Sequence, residues 1–350
     1  MRYMIYGLLL TVVSAALLVA YIWQSLGGGN EVSTSDYQSC ELIKGPVGAE
    51  DIEVGLGGYA YISADDRRAH LGNPAAAGNV YRFQSAGEKH ELQLMELPEA
   101  LNSFHPHGIS YFKEADKEYL FVINHRVPAA ADGGHDIFLF RIDGLRLITV
   151  KQLVVPDGYS PNDIAAISSE EFYFSSDRKA LSGIAMYVEV LLGLARSSIG
   201  HYYQGQWKVA VDGLAFANGI AYSPRYQQLW VSESRAGQLG KYYRSEKGGL
   251  ELLQKFSLGN SPDNISVLEN GDLLVADHVN GVAQARNASD STIASPSRIW
   301  KVKANGKLDT PLLQLDGRAY SAASVAVSIN NQLLLGSIYN DGLLLCSVEQ

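Results

Sequence analysis

Six recurrences of one short motif, a strand-rich composition and a lone pair of cysteines predict an all-β chain closed into a six-bladed β-propeller. The motif is a polar or small pair followed by a β-branched residue that opens a strand-like run. It is read at Glu50-Asp51-Ile52, His107-Gly108-Ile109, Asn162-Asp163-Ile164, Asn218-Gly219-Ile220, Asp263-Asn264-Ile265 and, more weakly, Ala323-Ser324-Val325. The β-branched anchors at 52, 109, 164, 220, 265 and 325 are separated, by subtraction, by 57, 55, 56, 45 and 60 residues. Irregular periods of about 40–50 residues with several short strands each mark propeller blades. With 20 Tyr, 34 Gly and only 19% charged residues, the composition suits strands, and 350 residues fit one such domain. Cys40 and Cys346 stand near the two ends of the globular region. Ring closure brings those ends together, so a disulfide is expected there if the chain is exported; two unrelated buried thiols are the alternative.

The elements follow in order. Met4 to Leu26 carry no charged side chain, and about 20 apolar residues suffice to span a bilayer. Arg2 supplies a short positive flank, and Tyr21 and Trp23 suit a membrane interface. Residues 1–26 are therefore expected to be an uncleaved signal-anchor helix, with a cleaved signal peptide or a buried core helix as alternatives. The basic end stays in the cytoplasm, which puts the globular part outside it (periplasmic, luminal or extracellular). Residues 27–39, from Gly27-Gly28-Gly29 through Gln38, read as a flexible linker, and residues 40–350 as the propeller.

In the first blade Tyr59–Ser63 is a strand, Asp65–Asn79 an extended loop on the channel-mouth face, and Val80–Phe83 the start of the outer strands. The second blade runs from His107 through Tyr119–Ile123 and Ile137–Arg141, and the third from Asn162 to Phe172–Ser175. Leu181–Gly200 is too long and too apolar for one strand and reads as a helical insertion. It either packs on the propeller, covers the mouth or touches a membrane. Leu229–Glu233 belongs to the fourth blade and Leu273–His278 to the fifth; Ala283–Pro296 reads as a loop. Leu333–Ile338 and Leu343–Cys346 complete the ring. A net charge of −9 without a Lys/Arg cluster excludes a nucleic-acid partner.

If each pair opens the strand nearest the axis, Glu50, His107, Asn162, Asn218, Asp263 and Asn264 converge at one mouth of the channel. One Asn or Asp alone is ordinary turn chemistry; the same phase in successive repeats makes a ring. Two carboxylates and three amide carbonyls form the hard oxygen set that Ca²⁺ prefers. Zinc wants several His or Cys, and the ring holds a single His. Asp51 and Asp163 directly follow Glu50 and Asn162, so strand alternation turns them toward a second, deeper cation position. A further histidine, His125, ends the strand that follows His107.

Glu50-Asp51, Phe104-His105-Pro106-His107-Gly108-Ile109-Ser110, Asn124-His125, Pro161-Asn162-Asp163-Ile164, Phe216-Ala217-Asn218-Gly219-Ile220 and Asp263-Asn264-Ile265-Ser266-Val267 resemble the motifs of the paraoxonase/arylesterase family. The resemblance runs in register from Cys40 to Cys346 and includes Asp177 and His278. It implies a six-bladed propeller with two calcium ions, a retained N-terminal hydrophobic segment, and lactonase and arylesterase activity. It further implies a catalytic calcium held by Glu50, Asn162, Asn218, Asp263 and Asn264. A structural calcium would be held by Asp51, Asp163 and the backbone carbonyl of Ile109. His107 and His125 match the family's histidine dyad, and Cys40 and Cys346 its ring-closing bridge. Phe216 matches an aromatic wall residue, with Asp177 and His278 placed at the substrate pocket. His105 stands where vertebrate members have Asn, and the 65–79 loop and the insertion from Leu181 depart from the family pattern.

Calcium is a Lewis acid for an ester carbonyl, and a histidine beside it can take a proton from water while a second orients it. The chain has no Gly-x-Ser-x-Gly elbow. The expected function is calcium-dependent hydrolysis of lactones (acyl-homoserine or other hydrophobic lactones), with aryl esters as secondary substrates. A gluconolactonase-like sugar-lactone hydrolase is one alternative; the His107/His125 pair argues against a strictosidine-synthase-like propeller. The other alternative is a non-enzymatic, calcium-stabilised propeller that binds a partner or lipid. His70, His90, His135 and His201 are expected to be ordinary surface or loop residues. Asn287-Ala288-Ser289 is a glycosylation sequon.

Overall fold

The β-branched anchors Ile52, Ile109, Ile164, Ile220, Ile265 and Val325 are each at most 5% exposed, as the innermost strands of a closed ring require. The computed structural model describes residues 2–35, 39–73, 76–86, 89–99, 101, 103–126 and 134–347. Met1 of the expected anchor helix, residues 36–38 of the expected linker, residues 74–75 of the expected mouth loop and residues 87–88, 100, 102, 127–133 and 348–350 of the expected propeller lie outside the described residues.

Six four-stranded antiparallel sheets form the blades. The first holds β2 (Ala49–Val54), β3 (Tyr59–Ala64), β4 (Asn79–Ala86) and β5 (Lys89–Leu94). The second holds β6 (Pro106–Glu114), β7 (Lys117–His125), β8 (His135–Asp143) and β9 (Arg146–Val154). Next come β10 (Pro161–Ser168), β11 (Glu171–Ser176), β12 (Ser197–Tyr203) and β13 (Gln206–Leu214), then β14 (Ala217–Ser223), β15 (Gln228–Glu233), β16 (Gln238–Arg244) and β17 (Leu250–Ser257). The fifth blade holds β18 (Ser261–Val267), β19 (Leu273–His278), β20 (Ser297–Val302) and β21 (Leu313–Leu315). The sixth is built from β22 (Ala323–Ile329), β23 (Gln332–Ser337) and β24 (Asp341–Cys346), with β1 (Cys40–Val47) as its outer strand. The first strand of the ring thus completes the last blade, and the Cys40–Cys346 disulfide joins them at paired positions.

Apolar side chains from facing sheets fill the spaces between blades. Phe121 and Ile123 of β7 meet Ile164 of β10 and Phe172 and Phe174 of β11, with the Phe121 and Phe172 ring centroids 5.0 Å apart. Burying each such side chain is worth about 1.5–3 kcal/mol.

The innermost strand pair of every blade has a register irregularity at the motif, as between Ala49 and Asp51, Pro106 and Ile109, or Pro262 and Ile265. A bulge re-aims side chains and recurs beside functional sites. Glycine at 108 and 219 has a steric cause. A Cβ on Gly108 would lie 2.4 Å from the Cα of Asp163, and one on Gly219 2.5 Å from the carbonyl oxygen of Asp263. These glycines let adjacent inner strands close up around the channel.

Five sequence expectations need correction. Arg2–Ser25 is a helix, α1, with Leu10, Leu17 and Val19 among its exposed side chains, but among the described residues no helix is long and apolar enough to cross a membrane. The linker is docked over residues 26–35. Gly281 N–H donates to Leu26 O (2.8 Å), Asn280 Nδ2 to Asn30 O (3.2 Å) and Ser35 N–H to Gln314 O (3.0 Å). The 65–79 loop contains one helical turn, α2 (Ala69–Gly72). The insertion after Leu181 is a helix only over Gly183–Leu192, α3, because Gly193 adopts the left-handed conformation (φ 62) that ends it. The segment 197–200 already belongs to β12. Within the expected loop 283–296, Gly281–Asn287 forms α4, capped by the Asn280 side chain, which accepts from Ala283 N–H. Asn287 itself is 1% exposed and its amide donates to Ile293 O, so the sequon side chain faces inward.

Arg235 joins the ends of two helices. Its guanidinium donates to Ser25 O (2.9 Å) at the end of α1, and to Val190 O (2.8 Å) and Leu191 O (3.0 Å) at the end of α3. A cation at helix C-termini complements both dipoles. Beyond that anchor Ile184 and Tyr187 of α3 are 81% and 61% exposed.

Candidate functional site

Contacts between bulged pairs run around the channel. Asp51 Oδ2 accepts from Ile109 N–H (2.8 Å), Gly108 lies against the main chain of Asn162 and Asp163, and Asp163 Oδ2 accepts from Ile220 N–H (2.7 Å). Gly219 then lies against Asp263 and Asn264, and Asn264 Nδ2 donates to Glu50 O (3.0 Å). Ser324 of the weak sixth motif donates to the same carbonyl at 2.7 Å. Residues separated by more than two hundred positions are thereby neighbours, as the repeat phase predicts.

The oxygens expected to bind metal are buried: Glu50, Asn162, Asn218, Asp263 and Asn264 are 2–8% exposed. Glu50 Oε2 and the side-chain oxygens of Asn162, Asn218 and Asn264 have no hydrogen-bond partner. Their nitrogen sides are engaged in two cases, Asn218 Nδ2 with Ser234 Oγ (3.0 Å) and Asn264 Nδ2 with Glu50, which turns the carbonyl oxygens free. An unmet buried acceptor costs about 1–3 kcal/mol, and four in one ring fit a hard cation such as calcium.

Electrostatics agree with that fit. Burial and the neighbouring Glu50 charge push the Asp51 carboxyl up to about 8. Burial and Asp51 raise Asp163 well above the usual carboxylate range. Glu53, not singled out in the sequence, is raised by burial and Asp51 as well. It lines a cavity of about 750 Å³ together with Ile52, Tyr111 and Ile220. Glu50 goes the other way: burial raises it, but the charge and hydrogen bond of His107, then Arg67 and Asn264, hold it at about 2.

Three histidines form a line beside the ring. His107 Nε2 is 3.2 Å from Glu50 Oε1, His107 Nδ1 is 2.6 Å from His125 Nε2, and His125 Nδ1 is 2.7 Å from His135 Nδ1. Burial, then His107 and His135, depress His125 well below the usual imidazole value, so it stays neutral near pH 7. His135 corrects the reading of that residue as an ordinary loop position. It pairs with His125 in the β7–β8 register, which neither strand reveals alone. His201 is also no surface residue: 2% exposed, it bonds Glu171 Oε1 at 2.8 Å. His70 lies 3.1 Å from Asp65 Oδ1 on the mouth loop, and His90 is a half-buried residue of β5.

The expected pocket residues take different places. Phe216 is half-buried with φ 60, a conformation rare outside glycine and concentrated at functional sites. Asp177 pairs with Arg178 Nη1 (2.8 Å), whose charge is felt at His125. His278 is 2% exposed and holds Asp263 Oδ2 at 2.7 Å, so it supports an expected ligand from behind.

The arylesterase family model matches residues 31–348 of the chain. Serum paraoxonase/arylesterase 2 of Bos taurus is 30% identical over 332 residues, 91% of each chain. Serum paraoxonase/arylesterase 1 of Homo sapiens is 30% identical over 325 residues, covering 89% of this chain and 90% of the other. Among solved structures, a putative gluconolactonase superposes with a TM-score of 0.55 at 12% identity, over 91% of this chain and 98% of that one; the likeness is one of fold.

Proposed function

The chain belongs to the arylesterase family, and from that premise we propose that it is a calcium-dependent hydrolase of lactones, with aryl esters as secondary substrates. One observation carries the reading: four buried oxygens of the ring have no hydrogen-bond partner, and the His107–His125 pair adjoins the ring through Glu50. Glu50, Asn162, Asn218, Asp263 and Asn264 would hold the catalytic ion. Asp51, Asp163 and the Ile109 carbonyl would hold a second, structural one. Bound at the first position, calcium supplies Lewis acidity toward the substrate carbonyl and positive charge for the developing oxyanion.

The remaining chemistry falls to side chains. His107 Nε2 lies 3.2 Å from Glu50 Oε1 and donates to it when the ring is protonated; in the neutral ring, with Glu50 engaged by the ion, Nε2 would be the atom placed to take a proton from the attacking water. Its Nδ1–H then donates to His125 Nε2, and His125 Nδ1–H to His135 Nδ1, one consistent tautomer for all three rings. The water oxygen bonds to the acyl carbon, the ring C–O bond breaks, and the leaving alkoxide takes the proton back from His107. Phe216 contributes an apolar wall. A general base is worth about 10²–10⁴-fold in rate. His107→Gln is therefore expected to lower kcat on a δ-lactone at pH 8 by at least about 100-fold while calcium affinity stays near wild type. Near-wild-type turnover would remove His107 from the role.

The exposed apolar surfaces of α1 and α3 favour attachment to a membrane surface, with the propeller outside the cytoplasm as its disulfide suits. Deleting residues 1–26 is expected to move the protein from the membrane fraction to the soluble fraction with its lactonase activity retained. Equal fractionation of both forms argues against α1 as the attachment.

A further inference from the structure

Asp65, His70 and His105 form a second cluster of metal-ligating atoms, separate from the oxygen ring and unused by the mechanism above. Their donor atoms all lie within 4.8 Å of one another. His70 Nε2 is 3.1 Å from Asp65 Oδ1, and His105 Nδ1 is 3.3 and 3.4 Å from Asp65 Oδ2 and Oδ1. The His105 contacts are long for N–H···O hydrogen bonds, whose usual range is about 2.7–3.2 Å. They match another length. Ligands at about 2.0–2.1 Å from a tetrahedral zinc stand about 3.3 Å apart along each edge. The two rings meet edge to face with centroids 4.6 Å apart, so they approach the carboxylate from different directions.

The three side chains are held in place by their surroundings. Asp65 and His105 are 6% and 3% exposed, and His70 is half-buried on α2. Asp65 N–H donates to Gly48 O (3.1 Å), while Asn124 Oδ1 accepts from His105 N–H (2.6 Å). Gly78 brings the returning chain over the cluster: a Cβ there would lie 2.6 Å from Pro106 Cδ and 3.0 Å from Asp65 Cβ.

We propose that Asp65, His70 and His105 bind a divalent transition metal of the zinc class, with a fourth position open to water, and that this metal fastens the mouth loop to the strand bearing His107. Two imidazoles and a carboxylate suit zinc, cobalt or nickel and are a poor set for calcium, which takes six to eight oxygens. The bound ion would link α2 to the start of β6, two residues before His107. The open fourth position leaves it accessible to chelators that ignore calcium.

Cobalt titration of the tag-free full-length chain, in millimolar calcium to fill the oxygen ring, tests the assignment. One Co²⁺ per chain with the visible absorption of four-coordinate cobalt is expected. His70→Ala and His105→Asn should each weaken uptake by about 100-fold or more, whereas His125→Ala should retain it. His70→Gln, checked by far-UV circular dichroism, serves if the alanine variant fails to fold. In the zinc-loaded wild type, 1,10-phenanthroline should lower the melting temperature, and it should leave His70→Gln unchanged. No cobalt uptake by folded wild type, or uptake that survives both His70 and His105 substitutions, overturns the site and leaves Asp65 as a carboxylate that merely orients two rings. Lactonase activity is not the readout, so failure here is distinct from failure of the hydrolase reading.

Discussion

Chelation of calcium with EGTA is expected to abolish lactone hydrolysis and to lower the melting temperature, with a stability loss that deepens as pH rises from about 4 to about 8. Without a bound ion, four buried oxygens lack a hydrogen-bond partner, and burial and neighbouring carboxylates raise the carboxyl groups of Asp51, Asp163 and Glu53. The Asp51 carboxyl sits at about 8 in the folded chain, above its unfolded value of about 3.9. A raised carboxyl favours the folded state fully below the unfolded value and loses that contribution as pH climbs through the folded one. Asp163 and Glu53 are shifted in the same direction. Bound at the proposed positions, calcium would reverse the balance: it takes ionised carboxylates as ligands, so its apparent affinity should rise across the same window as protons are displaced. A thousandfold excess of free calcium over its dissociation constant adds about 4 kcal/mol to the folded state. Melting curves with calcium and with EGTA at pH 5 and pH 8 should therefore diverge most at pH 8. Coincident curves there, or hydrolysis that persists in EGTA, would remove the cation from the centre of the argument.

What the sequence made legible follows from what repeats. Six β-branched anchors at one phase identified the inner strands, and the pair before each identified the ring, because the same place in every blade faces the same axis. The bulges were hidden, since an extra residue in one strand shows only when its partner's register is known. His135 was missed for the same reason: its pairing with His125 belongs to the β7–β8 register. The linker looked free because Gly27-Gly28-Gly29 carries no side-chain signal, yet backbone groups such as Asn30 O and Ser35 N–H anchor the segment. His70 escaped notice because its partners, Asp65 and His105, come from a loop and a strand entry that meet only in the folded blade.

The Cys40→Ala/Cys346→Ala double variant is expected to lose more stability than any single surface change, because the bridge closes a loop across a sequence separation of 306. The chain-entropy model puts the loss near 5–6 kcal/mol as an upper figure, since it counts the freedom the unfolded chain regains. The folded side adds a local reason. β1 joins β24 through the register Cys40↔Cys346 to Ile43↔Leu343, and Ile43 packs with Leu343 and Leu345 in the seam. One residue after Gly48, Ala49 begins the strand that carries Glu50, and the Ala49 carbonyl is so close to Gly336 that a Cβ there would lie 2.1 Å from it. A loosened seam should therefore reach the ring. In guanidinium titrations at saturating calcium the double variant should unfold at a clearly lower midpoint, and calcium half-saturation should move to higher concentration. If the midpoint drops while calcium affinity holds, the bridge acts through the unfolded chain alone. If neither moves, the strand pairing and the Ile43 cluster already suffice to close the ring, and the covalent link contributes nothing that the sheet does not.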